Sequence, residues 1–92
     1  MSELDINHIL KNYDFSKLQT KRIPLTKFEK TRILGERASQ IENGSNIFIS
    51  NPERFPNAYR IAEEELNLKK IPFIIKRDIN GIEEYIRLND LL

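Results

Sequence analysis

Ninety-two residues, no cysteine and a formal charge of +1 leave room for one small domain and exclude disulfides and thiolate metal sites. A chain this short buries only about 60–65% of the surface it exposes unfolded, so it must be regular or lean on a partner. No stretch reaches the roughly 18 consecutive apolar residues of a membrane span, and Met1-Ser2-Glu3-Leu4-Asp5 offers neither a basic n-region nor an apolar h-region, so a soluble intracellular protein is expected.

Residues 1–23 are polar and mixed, with no clean period, and are expected to form a flexible or partner-ordered tail. The stretch from Lys11 to Arg37 is rich in lysine and arginine, while acids slightly outnumber bases beyond it. A free-standing nucleic-acid binder carries a larger overall basic excess. The local imbalance suits an acidic contact on a partner or a solvated face.

The first strong element opens at Pro24-Leu25-Thr26-Lys27-Phe28-Glu29. Thr26 and Glu29 have the spacing of a capping box, in which each side chain satisfies a free backbone N–H of the other. The helix should run to about Asn43, with Gly44 as a left-handed cap. On the helix wheel Phe28, Thr31, Leu34, Ala38 and Ile41 share one arc, on which Phe28 is expected to be buried, while which side of the helix is internal stays open. Gly35 lies beside Thr31 and Ala38, and a mid-helix glycine costs roughly 1 kcal/mol relative to alanine, so close approach of another backbone is expected there. Ile33, Arg37 and Gln40 form a separate ridge, read as either incidental or a second contact surface.

Ile47-Phe48-Ile49 fits a short strand or an apolar anchor in the connection that Asn51-Pro52 and Pro56 punctuate. A second helix is expected from about Asn57 to Leu68, with Ala58, Ile61, Ala62 and Leu66 as its stripe. Glu65 falls inside that stripe. It is either wet at the helix end, the favoured alternative, or buried and paired with a cation such as Arg32 or Arg37. The last element is a hairpin, Ile71–Ile79 and Ile82–Leu88 around Asn80-Gly81, since a type I′ turn needs two positive φ angles. That turn pairs Ile79 with Ile82, Ile75 with Ile86 and Phe73 with Leu88 on one face, with Arg77 opposite Glu84 as a cross-strand ion pair. The other face, from Ile74 to Arg87, looks largely solvated. A lone hairpin is marginal in water, so its apolar face should pack on one or both helices. The fold class is α+β, two helices packed with a C-terminal hairpin.

Leu25 to Ile41, with its capped Thr-Lys-Phe-Glu start and Arg-x-x-Gly-x-Arg-Ala-x-Gln-Ile core, resembles the signature helix of a known family. It is that of the omega subunit, archaeal subunit K and eukaryotic common sixth subunit of DNA-dependent RNA polymerases. The likeness resumes at Ile61-Ala62-Glu63-Glu64-Glu65-Leu66 and continues through Lys70-Ile71-Pro72-Phe73-Ile74-Ile75-Lys76-Arg77, a strand typical of the archaeal, eukaryotic and viral branch. The connection from Asn46 to Pro56 departs from the family pattern, and the tryptophan common in the last strand is missing. The resemblance implies that residues 24–92 form the subunit domain. It implies a non-catalytic subunit that clamps the carboxyl-terminal region of the polymerase's largest subunit and promotes assembly and stability during transcription. It carries Arg32, Gly35, Arg37, Ala38, Gln40 and Ile41 to that contact, and the helix-wheel ridge adds Ile33 as a candidate.

For Arg37 a planar fork toward a partner is favoured over a surface charge, whereas Ala38 and Ile41 fit an internal core equally well. No cofactor, metal, membrane or homo-oligomer is expected, and DNA is met only through the complex. An archaeal cytoplasm or a viral factory or virion is the expected setting, with the nucleus left open. An enzyme is disfavoured: His8 is the single histidine, and no P-loop, dinucleotide glycine pattern or His-Glu metal spacing occurs. The alternative function is an independent nucleic-acid-binding module using the basic 11–37 stretch, with Tyr13, Phe15 and Phe28 as stacking candidates.

Overall fold

The computed structural model describes Thr20 and residues 23–92; the rest of the stretch expected as a tail lies outside the described residues. Among the described residues two helices precede an antiparallel hairpin, the α+β arrangement expected: α1 (Lys27–Glu42), α2 (Ala58–Asn67), β1 (Ile74–Ile79) and β2 (Ile82–Arg87). Short 3₁₀ turns occupy Pro52–Arg54 and Leu88–Leu91. The chain divides into two compact units, Thr26–Ile71 and a discontinuous unit joining Met1–Leu25 to Pro72–Leu92.

In the helical unit, the ends of α1 follow the local code. Thr26 Oγ1 accepts from the Glu29 N–H at 3.0 Å and the Glu29 carboxylate accepts from the Thr26 N–H at 3.0 Å, a complete capping box. At the other end Gly44 takes a φ of +94°, while the Gly44 and Ser45 N–H groups donate to the Ile41 and Gln40 carbonyls. This is a Schellman closure, and the left-handed residue it needs is cheapest as glycine. Helix α2 starts at Asn57, whose side chain accepts from the Arg60 N–H. It closes by the same two-bond pattern, with Lys69 in the left-handed region at φ 57°.

The helices pack on each other, and the unit's buried apolar residues are Ile33, Leu34, Ala38, Ile61, Ala62, Leu66 and Ile71. Each large aliphatic side chain among them contributes about 1.5–3 kcal/mol on burial. The core face of α1 is therefore rotated from the arc that holds Phe28. Phe28 is 71% exposed and Thr31 is exposed, whereas Ile33, on the supposed separate ridge, is fully buried. A buried arginine explains the rotation: Arg37 belongs to the inward face but scores as polar in any apolar pattern. Ile47–Ile49 forms no strand and serves as the anchor, with Ile47 and Ile49 half-buried.

In the hairpin unit, Asn80 and Gly81 take φ values of 52° and 82°, as a type I′ turn requires. The register pairs Ile79 with Ile82, Arg77 with Glu84 and Ile75 with Ile86. The Leu88 N–H donates to the Phe73 carbonyl at 2.9 Å, extending that register beyond β1. The strand begins at Ile74 rather than Ile71, because Pro72 has no N–H for a ladder. Ile75, Arg77, Glu84, Ile86 and Leu88 are buried, but Ile82 at the tip is 65% exposed. The opposite face carries a Lys76–Glu83 pair at 3.3 Å. Ile74 on that face is buried, contrary to the solvated face expected.

Candidate protein-binding helix

Helix α1 presents two different faces. Inward, Arg37 is 3% exposed and Glu65 is fully buried. The guanidinium forks onto the carboxylate, Nε to Oε1 at 2.6 Å and Nη2 to Oε2 at 3.0 Å. Nη2 also donates to the Asn46 carbonyl at 2.6 Å, and Nη1 to Gln40 Oε1 at 3.1 Å. The Phe48 N–H donates to Glu65 Oε2 at 2.8 Å, and the Arg37 guanidinium carbon lies 5.0 Å from the Phe48 ring centroid. One charge pair thus fastens α1, α2 and the connection between them. Planar, multi-donor geometry is what makes arginine able to satisfy both the carboxylate and a backbone carbonyl.

This changes the roles expected for several residues. Arg37 is buried rather than a surface charge, and its nitrogens bond Glu65, Asn46 and Gln40 within the chain. Glu65 is buried and paired, not wet, and of the two cations considered for it Arg37 is the partner. Arg32 is exposed, 3.8 Å from Glu36 one turn along the same helix. Ile33 and Ala38 belong to the core, while Gln40 and Ile41 are half-buried.

Outward, Phe28, Arg32, Gly35 and Ser39 follow one another at i, i+4, i+7 and i+11, and all are exposed. A Cβ built on Gly35 meets nothing within 4 Å, so among the described residues none makes the close approach expected there. The strip offers a large aromatic ring next to a surface without side-chain cover. Phe28 was expected in the core, and only the three-dimensional fold reveals it as part of this strip. Among the described residues no group of three or more His, Cys, Asp or Glu could hold a metal, and no helix is long and apolar enough to cross a membrane.

A capped helix with a buried Arg–Glu knot behind it and an open strip in front characterises a small α+β domain. The family model described as RNA polymerase Rpb6 matches residues 23–73, more than half of the chain, and the chain belongs to that family. It is 43% identical over 53 residues to the DNA-directed RNA polymerase subunit Rpo6 of Thermofilum pendens, covering 58% of this chain and 65% of that protein. Against the DNA-directed RNA polymerases I, II, and III subunit RPABC2 of Saccharomyces cerevisiae, identity is 45% over 53 residues, 58% of this chain and 34% of that protein. The Dictyostelium discoideum protein of the same name is 40% identical over 68 residues, 73% of this chain and half of its own length. The match therefore spans less than two thirds of each of these relatives. They are archaeal and eukaryotic, the side of the family to which the Lys70–Arg77 string points.

Proposed function

We propose that the chain is a non-catalytic small subunit of a multi-subunit DNA-dependent RNA polymerase, and that it clamps the carboxyl-terminal region of the largest subunit to support assembly. Family membership supports the polymerase setting. The observation that carries the contact is Gly35, on an open face inside the matched segment. A mid-helix glycine weakens α1 by about 1 kcal/mol, and nothing among the described residues uses the space it leaves. A partner backbone seated on the Gly35 strip, with Phe28 as an aromatic anchor beside it, recovers that loss. Arg32 and Gly35 keep their place in the contact; Ile33, Arg37 and Ala38 support it from behind by fixing the helix.

The test is co-purification of the largest polymerase subunit with the tagged chain from its native host. Gly35→Leu adds a side chain into open space, so the free chain should keep its helix signal and melting temperature. A clash with a closely seated partner should cut recovery of the largest subunit about tenfold or more, the equivalent of about 1.4 kcal/mol. Undiminished recovery with Gly35→Leu would remove the strip from the interface, and absence of any polymerase subunit from the wild-type pull-down would remove the function. The nucleic-acid alternative loses one of its cations, since Arg37 is committed to Glu65.

A further inference from the structure

The hairpin carries a second buried arginine that the polymerase contact does not use. Arg77 and Glu84 face each other in register and both are buried, in a two-stranded sheet of a size that is marginal in water by itself. Arg77 Nη1 donates to the Thr20 carbonyl at 3.0 Å, to Thr20 Oγ1 at 3.1 Å and to the Ile23 carbonyl at 2.5 Å. Its Nη2 donates to the Pro24 carbonyl at 3.1 Å. Glu84 Oε1 accepts from the Thr20 N–H at 2.7 Å, and the Ile23 N–H closes a turn onto the Thr20 carbonyl at 3.0 Å. Thr20 is fully buried.

Apart from one hydroxyl, every group of the 20–24 segment in this set is a peptide N–H or C=O. The donors and acceptors of the hairpin are therefore matched to a backbone path and not to particular side chains. Burying an arginine and a glutamate is costly unless both are well hydrogen-bonded, and the segment supplies bonds to each.

We propose that the Arg77/Glu84 face of the hairpin is a main-chain receptor site, filled in cis by Thr20, Ile23 and Pro24, and that this strap and the hairpin order as one cooperative unit. Thr20, Arg77 and Glu84 all lie outside the residues matched by the family model, so the proposal stands independently of the polymerase assignment.

Amide hydrogen exchange on the full-length chain tests this. Thr20→Pro removes the N–H given to Glu84 without altering the hairpin. Exchange at Ile23 and at the Leu88 amide should then accelerate about 10- to 100-fold, the effect of losing a hydrogen bond to a charged group. The Lys30 and Leu68 amides, in the other unit, should hold their rates. Thr20→Val, which keeps the N–H, should produce a much smaller change than Thr20→Pro. Arg77→Met should accelerate the same two amides as Thr20→Pro. Three results would each overturn the proposal: an Ile23 amide already unprotected in the wild type, a Leu88 amide indifferent to Thr20→Pro, or Thr20→Val as damaging as Thr20→Pro.

Discussion

The two units each contain a buried arginine near a buried glutamate, and the two pairs are used differently. Arg37 forks onto Glu65 itself, and the remaining bonds of that site gather the Asn46 and Phe48 backbone around the pair. Arg77 stands opposite Glu84 across the strands, and both reach outward to the backbone of a segment more than fifty residues away in sequence. The first arrangement is a knot of side chains, sensitive to what either residue is. The second is a grip on a chain path, sensitive to whether the path is there.

The sharpest way to break this contrast is to remove one partner of the knot. Glu65→Ala leaves Arg37 buried without its carboxylate, which should cost about 3–5 kcal/mol in urea unfolding. That is a large share of the roughly 5–15 kcal/mol typical of a whole domain. Replacing both, with Arg37→Met and Glu65→Leu together, should recover most of the loss, because a well-packed apolar pair can stand in for a buried ion pair. Failure of the double variant to recover would show that the bonds to Asn46 and Phe48, not the pair, hold the unit.

Arg77→Lys asks the matching question of the grip. A single ammonium cannot span carbonyls that a planar guanidinium reaches together, so a loss of about 1–2 kcal/mol is expected, the value of a charge-assisted hydrogen bond. Its signature is location: exchange rates should rise in the hairpin and stay unchanged in α1 and α2. If the helices loosen equally, the two sites are not separate stability elements.

How much of this was legible from sequence follows the same division. The ends of α1 and the hairpin register are encoded in adjacent residues, Thr26 with Glu29, Gly44, and Asn80-Gly81, and the structure has all three as the local rules require. Which face of α1 is its core stayed open because Arg37 breaks the apolar pattern on the inward side, while Phe28 supplies a false apolar signal in the first turn. Glu65 inside the α2 stripe was the available clue. Demanding a cation for it and testing Arg37 as that cation would have turned the helix to its observed orientation. The strap had no such clue, since carbonyls and amides are common to every residue and Thr20 contributes mainly its backbone. Gly35 was legible as an anomaly, but that the space beside it is open among the described residues required the fold.

A smaller test of the knot is Phe48→Ala. The ring covers the Arg37 guanidinium but is itself 42% exposed, so its cation–π contribution should lie near the exposed-site value of about 0.5–1 kcal/mol. The backbone bond from Phe48 to Glu65 survives the substitution. A loss comparable to Glu65→Ala would mean that the ring, by excluding water, is what makes the pair strong.

The smallest effect expected separates side chain from backbone in the grip. Thr20→Val removes the 3.1 Å bond from Arg77 Nη1 to Thr20 Oγ1, yet the same nitrogen keeps the Thr20 and Ile23 carbonyls. Because the arginine is not left unpaired, the cost in unfolding free energy should be about 0.5–1 kcal/mol, the net value of an ordinary hydrogen bond. In the knot, losing the Glu65 carboxylate leaves the Arg37 charge only the neutral Asn46 and Gln40 acceptors, which is why one residue there outweighs a hydroxyl here. If Thr20→Val cost as much as Arg77→Lys, the hydroxyl would be the principal acceptor. The grip would then be a side-chain knot of the Arg37 kind, and the contrast between the two units would collapse.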